Sequence, residues 1–98
     1  MAQPTLLLVH GANHGSWCWS NFRPHLEARG FRVLLIDLPG RIGPRRSGWS
    51  YRLDDYASSV ADTAAKAGDP LVAIGHSMGG MVISAAAQKR PDLFSRLV

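Results

Sequence analysis

Residues 73–80 read AIGHSMGG and close an apolar run, PLVAIG, of the length of a buried strand. Behind them MVISAAAQKR, rich in small and apolar side chains, predicts a helix that Pro91 breaks. A strand therefore passes into a helix through Gly75-His76-Ser77-Met78-Gly79, a G-x-S-x-G sequence. At such a junction the serine occupies a strained turn that lifts its hydroxyl clear of the sheet. Glycines flank it because side chains would collide in so sharp a bend. Gly75 and Gly79 take those places, and Gly80 is expected to give the helix further room. The helix start beneath Ser77 offers unpaired N–H groups and a positive dipole end. Ser77 is thus the candidate nucleophile, weighed against a plain glycine-rich turn with a capping serine.

Working outward, apolar runs and helical patterns alternate along the chain. TLLLVH (5–10) reads as a strand. Pro24 fits the first turn of a helix continued by HLEAR, with Gly30 as its cap. RVLLID (32–37) is the second strand, followed by the loop LPGRIGPRRSGWS. DDYASSVADTAAKA (54–67) predicts a helix capped by Asp54 or Asp55 and stopped at Gly68. After the third strand and its helix, RLV at 96–98 looks like the opening of a fourth strand. This order predicts an α/β fold, an open parallel sheet with flanking helices, in one domain. With the first strand central, the first and third are neighbours at the switch point where such sheets bind ligands.

Composition sets limits on function. Ninety-eight residues, 46% hydrophobic and 18% charged, describe a globular chain with one core at most. No run approaches the ~20 apolar residues of a membrane span, and MAQPT has no basic leader pattern, so a cytoplasmic location and no membrane partner are expected. A single cysteine, Cys18, excludes an internal disulfide and a cysteine-based metal site, and it reads as a small apolar residue rather than a reactive thiol. The net charge of +4 owes much to Arg41, Arg45, Arg46 and Arg52. Without helical periodicity or a binding motif, that cluster reads as a solvated loop, and no nucleic acid is expected as partner. No metal or organic cofactor is implied.

The loop HGANHGSWCW (10–19) follows the first strand. An oxyanion hole in this type of site joins the N–H after the nucleophile, here Met78, to an N–H from a loop after an earlier strand. Ala12 is the candidate for the second donor, with Gly11 letting the backbone turn inward. Such a donor is typically worth about 2.7–4 kcal/mol in the transition state. Among the histidines, His76 is expected to turn away from the serine hydroxyl and, with His14, to be a candidate pocket residue, His10 to hydrogen-bond within its loop and His25 to face solvent. Trp17 and Trp19 serve either as pocket walls or as packing. Asp54, Asp55, Asp62 and Asp69 read as caps or surface charges.

Together, LLLVHGANHGSWCW, VLLIDLPG and AIGHSMGGMVISAAAQKRPDLFSRLV resemble the first half of an α/β-hydrolase, in the branch of plant methylesterases, hydroxynitrile lyases and bacterial esterase-like relatives. H-G-A-x-H-G-x-W-x-W is more specific to that branch than G-x-S-x-G, which the whole superfamily shares. The resemblance implies Ser77 as nucleophile, Ala12 and Met78 as oxyanion donors, and a small-molecule ester as substrate, with oligomeric state left open. It assigns Asp37 to anchoring a loop. Lyases of this branch carry Thr where this chain has Gly11, which favours ester hydrolysis over lyase chemistry. Relatives place the catalytic acid and histidine after later strands. Residues 1–98 are accordingly expected to be the N-terminal part of a single α/β-hydrolase domain that stops before both, inactive alone. A ligand-sensing relative or a non-catalytic fragment would carry the same residues. A nucleotide-binding unit fits poorly, because GANHGS departs from G-x-G-x-x-G, Trp17 crowds the helix start, and no Walker A pattern exists.

Overall fold

Thr5 to Val9 is apolar on both faces, and such a run is stable only where both faces are covered. In the computed structural model, which describes residues 3–39 and 52–98, this run forms β1 (Thr5–Val9) inside a four-stranded sheet. The strand order is β2-β1-β3-β4, with β2 (Arg32–Leu35), β3 (Leu71–Gly75) and β4 (Phe94–Leu97), and every neighbouring pair is parallel. Leu7 lies opposite Leu34 on one side and Ala73 on the other. The expected α/β architecture is present, with the first and third strands side by side.

Among the described residues three α-helices cover the sheet: α1 (Arg23–Ala28), α2 (Leu53–Ala65) and α3 (Met78–Lys89). The chain steps from β1 outward to β2, then back across β1 to β3 and on to β4. Right-handed crossovers then place α1 on one face and α2 with α3 on the other. On the latter face Leu7, Val9, Leu71 and Ala73 pack with Ala57, Val60 and Ala64 of α2 and Val82, Ile83 and Ala86 of α3. Side chains that small let both helices lie close to the sheet. Leu6 and Leu8, which alternation sends to the opposite face, are also buried. Each fully buried leucine contributes roughly 1.5–3 kcal/mol of transfer free energy.

Element ends show where local rules competed. Gly30 (φ 90°) closes α1: its N–H reaches Glu27 O at 3.0 Å while that of Phe31 reaches Leu26 O at 3.3 Å. The helix expected to start at Asp54 starts at Leu53, because Arg52 adopts extended backbone and donates its N–H to Asp55 Oδ2 at 2.8 Å. Asp55 thus caps from inside the first turn, and Asp54 instead pairs with Lys89. Helix α2 ends at Ala65, short of residue 67, in the turn that leads to Gly68 (φ 89°). Ladder pairing of β2 ends at Leu35, before residue 37, which frees Ile36, Asp37 and Leu38 to leave the sheet. The fourth strand begins at Phe94, two residues earlier than read from RLV, because only a short 3-10 turn (Pro91–Leu93) follows α3. An irregularity beside Leu71 leaves Ser95 out of register, and the Ser95 hydroxyl donates to Leu71 O at 3.2 Å. Arg41, Arg45 and Arg46 lie outside the described residues, whereas Arg52 is exposed. Among the described residues no helix is long and apolar enough to cross a membrane.

Candidate active site

Pairing of Val9 with Gly75 sets the carboxyl ends of β1 and β3 side by side, so the loops that follow leave the sheet together. The His76 N–H donates to Val9 O at 3.0 Å and carries the ladder one residue past β3. The chain then reverses at Ser77, whose φ of 57° and ψ of −119° are unusual for a residue with a side chain. Such a conformation costs about 1–3 kcal/mol and persists only where the surroundings enforce it. Here the enforcement is backbone against backbone. A Cβ on Gly75 would stand 2.5 Å from Gly79 O, and one on Gly79 would stand 2.9 Å from His10 O and closer still to Val9 O. Gly80 departs from expectation: a Cβ there meets nothing within 4 Å, so its lack of a side chain is not what makes room for α3. Ser77 is exposed, and among the described residues no side chain hydrogen-bonds its hydroxyl.

Gly11, buried in the β1 loop, touches this turn. A Cβ on it would lie 3.1 Å from His76 O and 3.3 Å from Ser77 Cβ, tight enough to require movement. Ala12 follows it at the surface, and Asn13 takes a left-handed φ of 61°, a conformation that asparagine tolerates better than most residues. Beyond Gly15, a 3-10 turn spans Ser16–Trp19. Asp37 anchors it, accepting Ser16 N–H at 2.7 Å and the Ser16 hydroxyl at 2.8 Å. The loop-anchoring role expected for Asp37 is therefore observed. Burial, opposed by a backbone hydrogen bond and assisted by the charge of Asp37, pushes the Cys18 thiol above its ordinary range. The thiolate of Cys18 is correspondingly disfavoured. No α-helix follows β1 directly, unlike a dinucleotide-binding unit, since α1 begins only at Arg23.

The histidines separate by environment. His10 is fully buried; its Nδ1–H donates to Gly11 O at 2.8 Å and its Nε2 accepts Leu38 N–H at 3.0 Å. That pair of partners fixes one tautomer and occupies both nitrogens, as expected of a structural residue. His14 and His76 stack across the two loops, centroids 5.9 Å apart and planes 16° from parallel, while Trp17 tilts against His14 with centroids 5.4 Å apart. His14 Nδ1 and Trp19 Nε1 are buried without a hydrogen-bond partner among the described residues. Trp17 is 65% exposed, whereas Trp19 packs against Phe22 with centroids 5.9 Å apart. His25, Asp62 and Asp69 are exposed, as expected. Sequence reading missed the His14–His76 stack and named no partner for the anchoring Asp37, because Ser16 lies far from it in the chain. Only Asn13, a residue type prone to tight turns, carried a local signal.

The resulting site is an exposed hydroxyl at a helix start, between two loops that meet through glycine backbone. A model of the Alpha/beta hydrolase family matches residues 6–98. Methylesterase 2 of Arabidopsis thaliana is 38% identical over 93 residues, which are 91% of this chain and 35% of that protein. Norfluorocurarine synthase 1 of a Strychnos species is 34% identical over 96 residues, 95% of this chain and 36% of that one. The crystal structure of polyneuridine aldehyde esterase superposes with a TM-score of 0.82 at 32% identity, covering 97% of this chain and 38% of that one. The chain thus spans little more than a third of the length of the relatives it matches.

Proposed function

The chain belongs to the alpha/beta hydrolase family, and on that footing we propose that it carries the nucleophile and oxyanion-binding half of a carboxylic ester hydrolase. The observation that carries this reading is the left-handed backbone of Ser77 at the junction of β3 and α3, held against the β1 loop. Strain maintained at one exposed hydroxyl is the signature of a positioned nucleophile.

In this reading Ser77 Oγ adds to the ester carbonyl carbon as a base removes its proton. The N–H groups of Met78 and Ala12 receive the tetrahedral oxyanion, and α3 directs its positive end at the same place. The bond to the alcohol oxygen breaks, and the alcohol leaves with the proton returned by the base. Water then attacks the acyl-serine and releases the carboxylic acid. His10 is not free to act as that base, since both nitrogens are taken. The base and its carboxylate are assigned to sequence outside residues 1–98, which forms part of the same proposal. His14, His76 and Trp17 form an aromatic rim beside the serine, suited to contact with a small organic ester. Gly11 leaves no hydroxyl beside Ser77, which supports hydrolysis over cyanohydrin chemistry.

The test replaces the 93 matched residues of Methylesterase 2 with this chain and measures p-nitrophenyl acetate turnover. A folded chimera is expected to hydrolyse the ester and to lose that activity in Ser77→Ala. Residues 1–98 alone are expected to turn over no faster than their own Ser77→Ala variant. A folded chimera whose activity survives Ser77→Ala would overturn the reading.

A further inference from the structure

The peptide group between Gly11 and Ala12 is held at one end only. Its carbonyl accepts the His10 Nδ1–H at 2.8 Å and, less closely, the His14 N–H at 3.3 Å. Its N–H, on Ala12, meets no acceptor among the described residues. In a planar trans peptide the C=O and N–H point in opposite directions. A carbonyl drawn inward to the fully buried His10 ring therefore turns the Ala12 N–H outward, to the side on which Ala12 and Ser77 are exposed. Gly11 is close enough for that direction to matter, since a Cβ on it would stand 3.3 Å from Ser77 Cβ.

The ring is itself oriented from the second strand. Leu38 is buried just past the end of β2, where the ladder no longer supplies an acceptor for its N–H, and it donates to His10 Nε2 at 3.0 Å. An Nε2 that accepts obliges Nδ1 to carry the proton. Satisfying Leu38 needs an acceptor and nothing more. The proton left on Nδ1 goes to the one carbonyl whose peptide partner is the candidate oxyanion donor. We propose that His10 is a positioning residue: through Gly11 O it aims the Ala12 N–H at the oxyanion, and Leu38 selects the tautomer that makes this possible. The proposal rests on the reading of Ser77 as nucleophile and Ala12 as oxyanion donor.

The experiment uses the Methylesterase 2 chimera with p-nitrophenyl acetate, and two substitutions separate the ring nitrogens. In His10→Asn the carboxamide reaches the place of Nδ1 and donates to Gly11 O, whereas in His10→Gln the longer side chain reaches the place of Nε2 and serves Leu38 alone. Removing an oxyanion donor outright costs about 10²–10³ in kcat, so a donor left free to swing should lose about tenfold or more. His10→Gln is expected to lower kcat and kcat/KM together by that factor, the mark of a contact made only in the transition state. His10→Asn is expected to recover most of the rate even though it abandons Leu38 and melts lower by circular dichroism. A role confined to packing predicts the reverse order of activity, because Gln fills more of the buried site. With Ser77→Ala still abolishing turnover, equal kcat in the two variants, the reverse order, or a change carried by KM would overturn the proposal. Turnover that survives Ser77→Ala overturns instead the reading beneath it. If either variant does not fold, the imidazole nitrogen spectrum of the unaltered chimera decides: a protonated Nδ1 beside a bare Nε2 is expected, and a proton on Nε2 overturns the proposal.

Discussion

Gly79 and Gly80 are neighbours of the same type in the same helix turn, yet the structure predicts opposite outcomes when each becomes alanine. A methyl on Gly79 stands 2.9 Å from His10 O and nearer still to Val9 O, whereas ordinary contact begins at 3.4 Å. The obstacle is strand backbone, which cannot rotate aside as a side chain does, so α3 must retreat from β1 by about half an ångström or more. Overpacking of that kind costs about 1–3 kcal/mol, and a backbone-on-backbone clash belongs at the upper end. A methyl on Gly80 meets nothing within 4 Å, and replacing a helical glycine gains about 0.5–1 kcal/mol. The two variants should therefore differ by about 3–4 kcal/mol. For a domain of this size, about 1 kcal/mol moves the midpoint by roughly 4–8 °C, so Gly79→Ala melts well below the unaltered chain and Gly80→Ala slightly above it. Urea and thermal unfolding followed by far-ultraviolet circular dichroism read both numbers, with m-values compared to confirm a common unfolded state. If Gly79→Ala matches the unaltered chain within about 0.5 kcal/mol, or both variants move in the same direction, α3 is not braced on β1 and the account of the serine turn fails.

Three further outcomes follow from the same geometry. Ser77→Gly should be about 1 kcal/mol more stable than Ser77→Ala, because only glycine adopts φ near 57° with that ψ without strain; equal stabilities would mean that the turn stores none. Asp37→Asn should lose about 1.5–3 kcal/mol of charge-assisted hydrogen bonding to Ser16 and speed exchange of the Ser16 amide, and unchanged exchange would remove the anchor. Cys18 should be alkylated by iodoacetamide more slowly than in the urea-unfolded chain at the same pH, with its rate rising only at more alkaline pH. A raised thiol pKa leaves less thiolate at any given pH, so faster alkylation in the folded chain would contradict it.

Much of the fold was legible because its signals are local. The leucine run of β1 and the valine and leucine pairs of β2 and β3 are continuous apolar strands, and the helices between them impose parallel pairing. The turn at Ser77 was legible for the same reason, since glycine on either side of a serine after a strand has few other uses. What escaped depended on partners distant in sequence or on the loss of one competing interaction. Trp17, Cys18 and Trp19 are apolar without a period, so nothing marked them as a 3-10 turn until Asp37, 21 positions after Ser16, reached back to fasten it. Asp54 and Asp55 both looked like caps, but only contact with Lys89 separates the first from that duty. The space around Gly80 was invisible because it depends on what does not pack there.

One peptide group links these observations. The Val9 carbonyl accepts His76 N–H on one side of the serine and abuts Gly79 on the other. The location of Ser77 is therefore inherited from a strand 68 positions earlier in the chain more than from its own turn. Stability lost in a Gly79 variant should accordingly be recovered by second-site substitutions within β1, the strand that supplies this carbonyl.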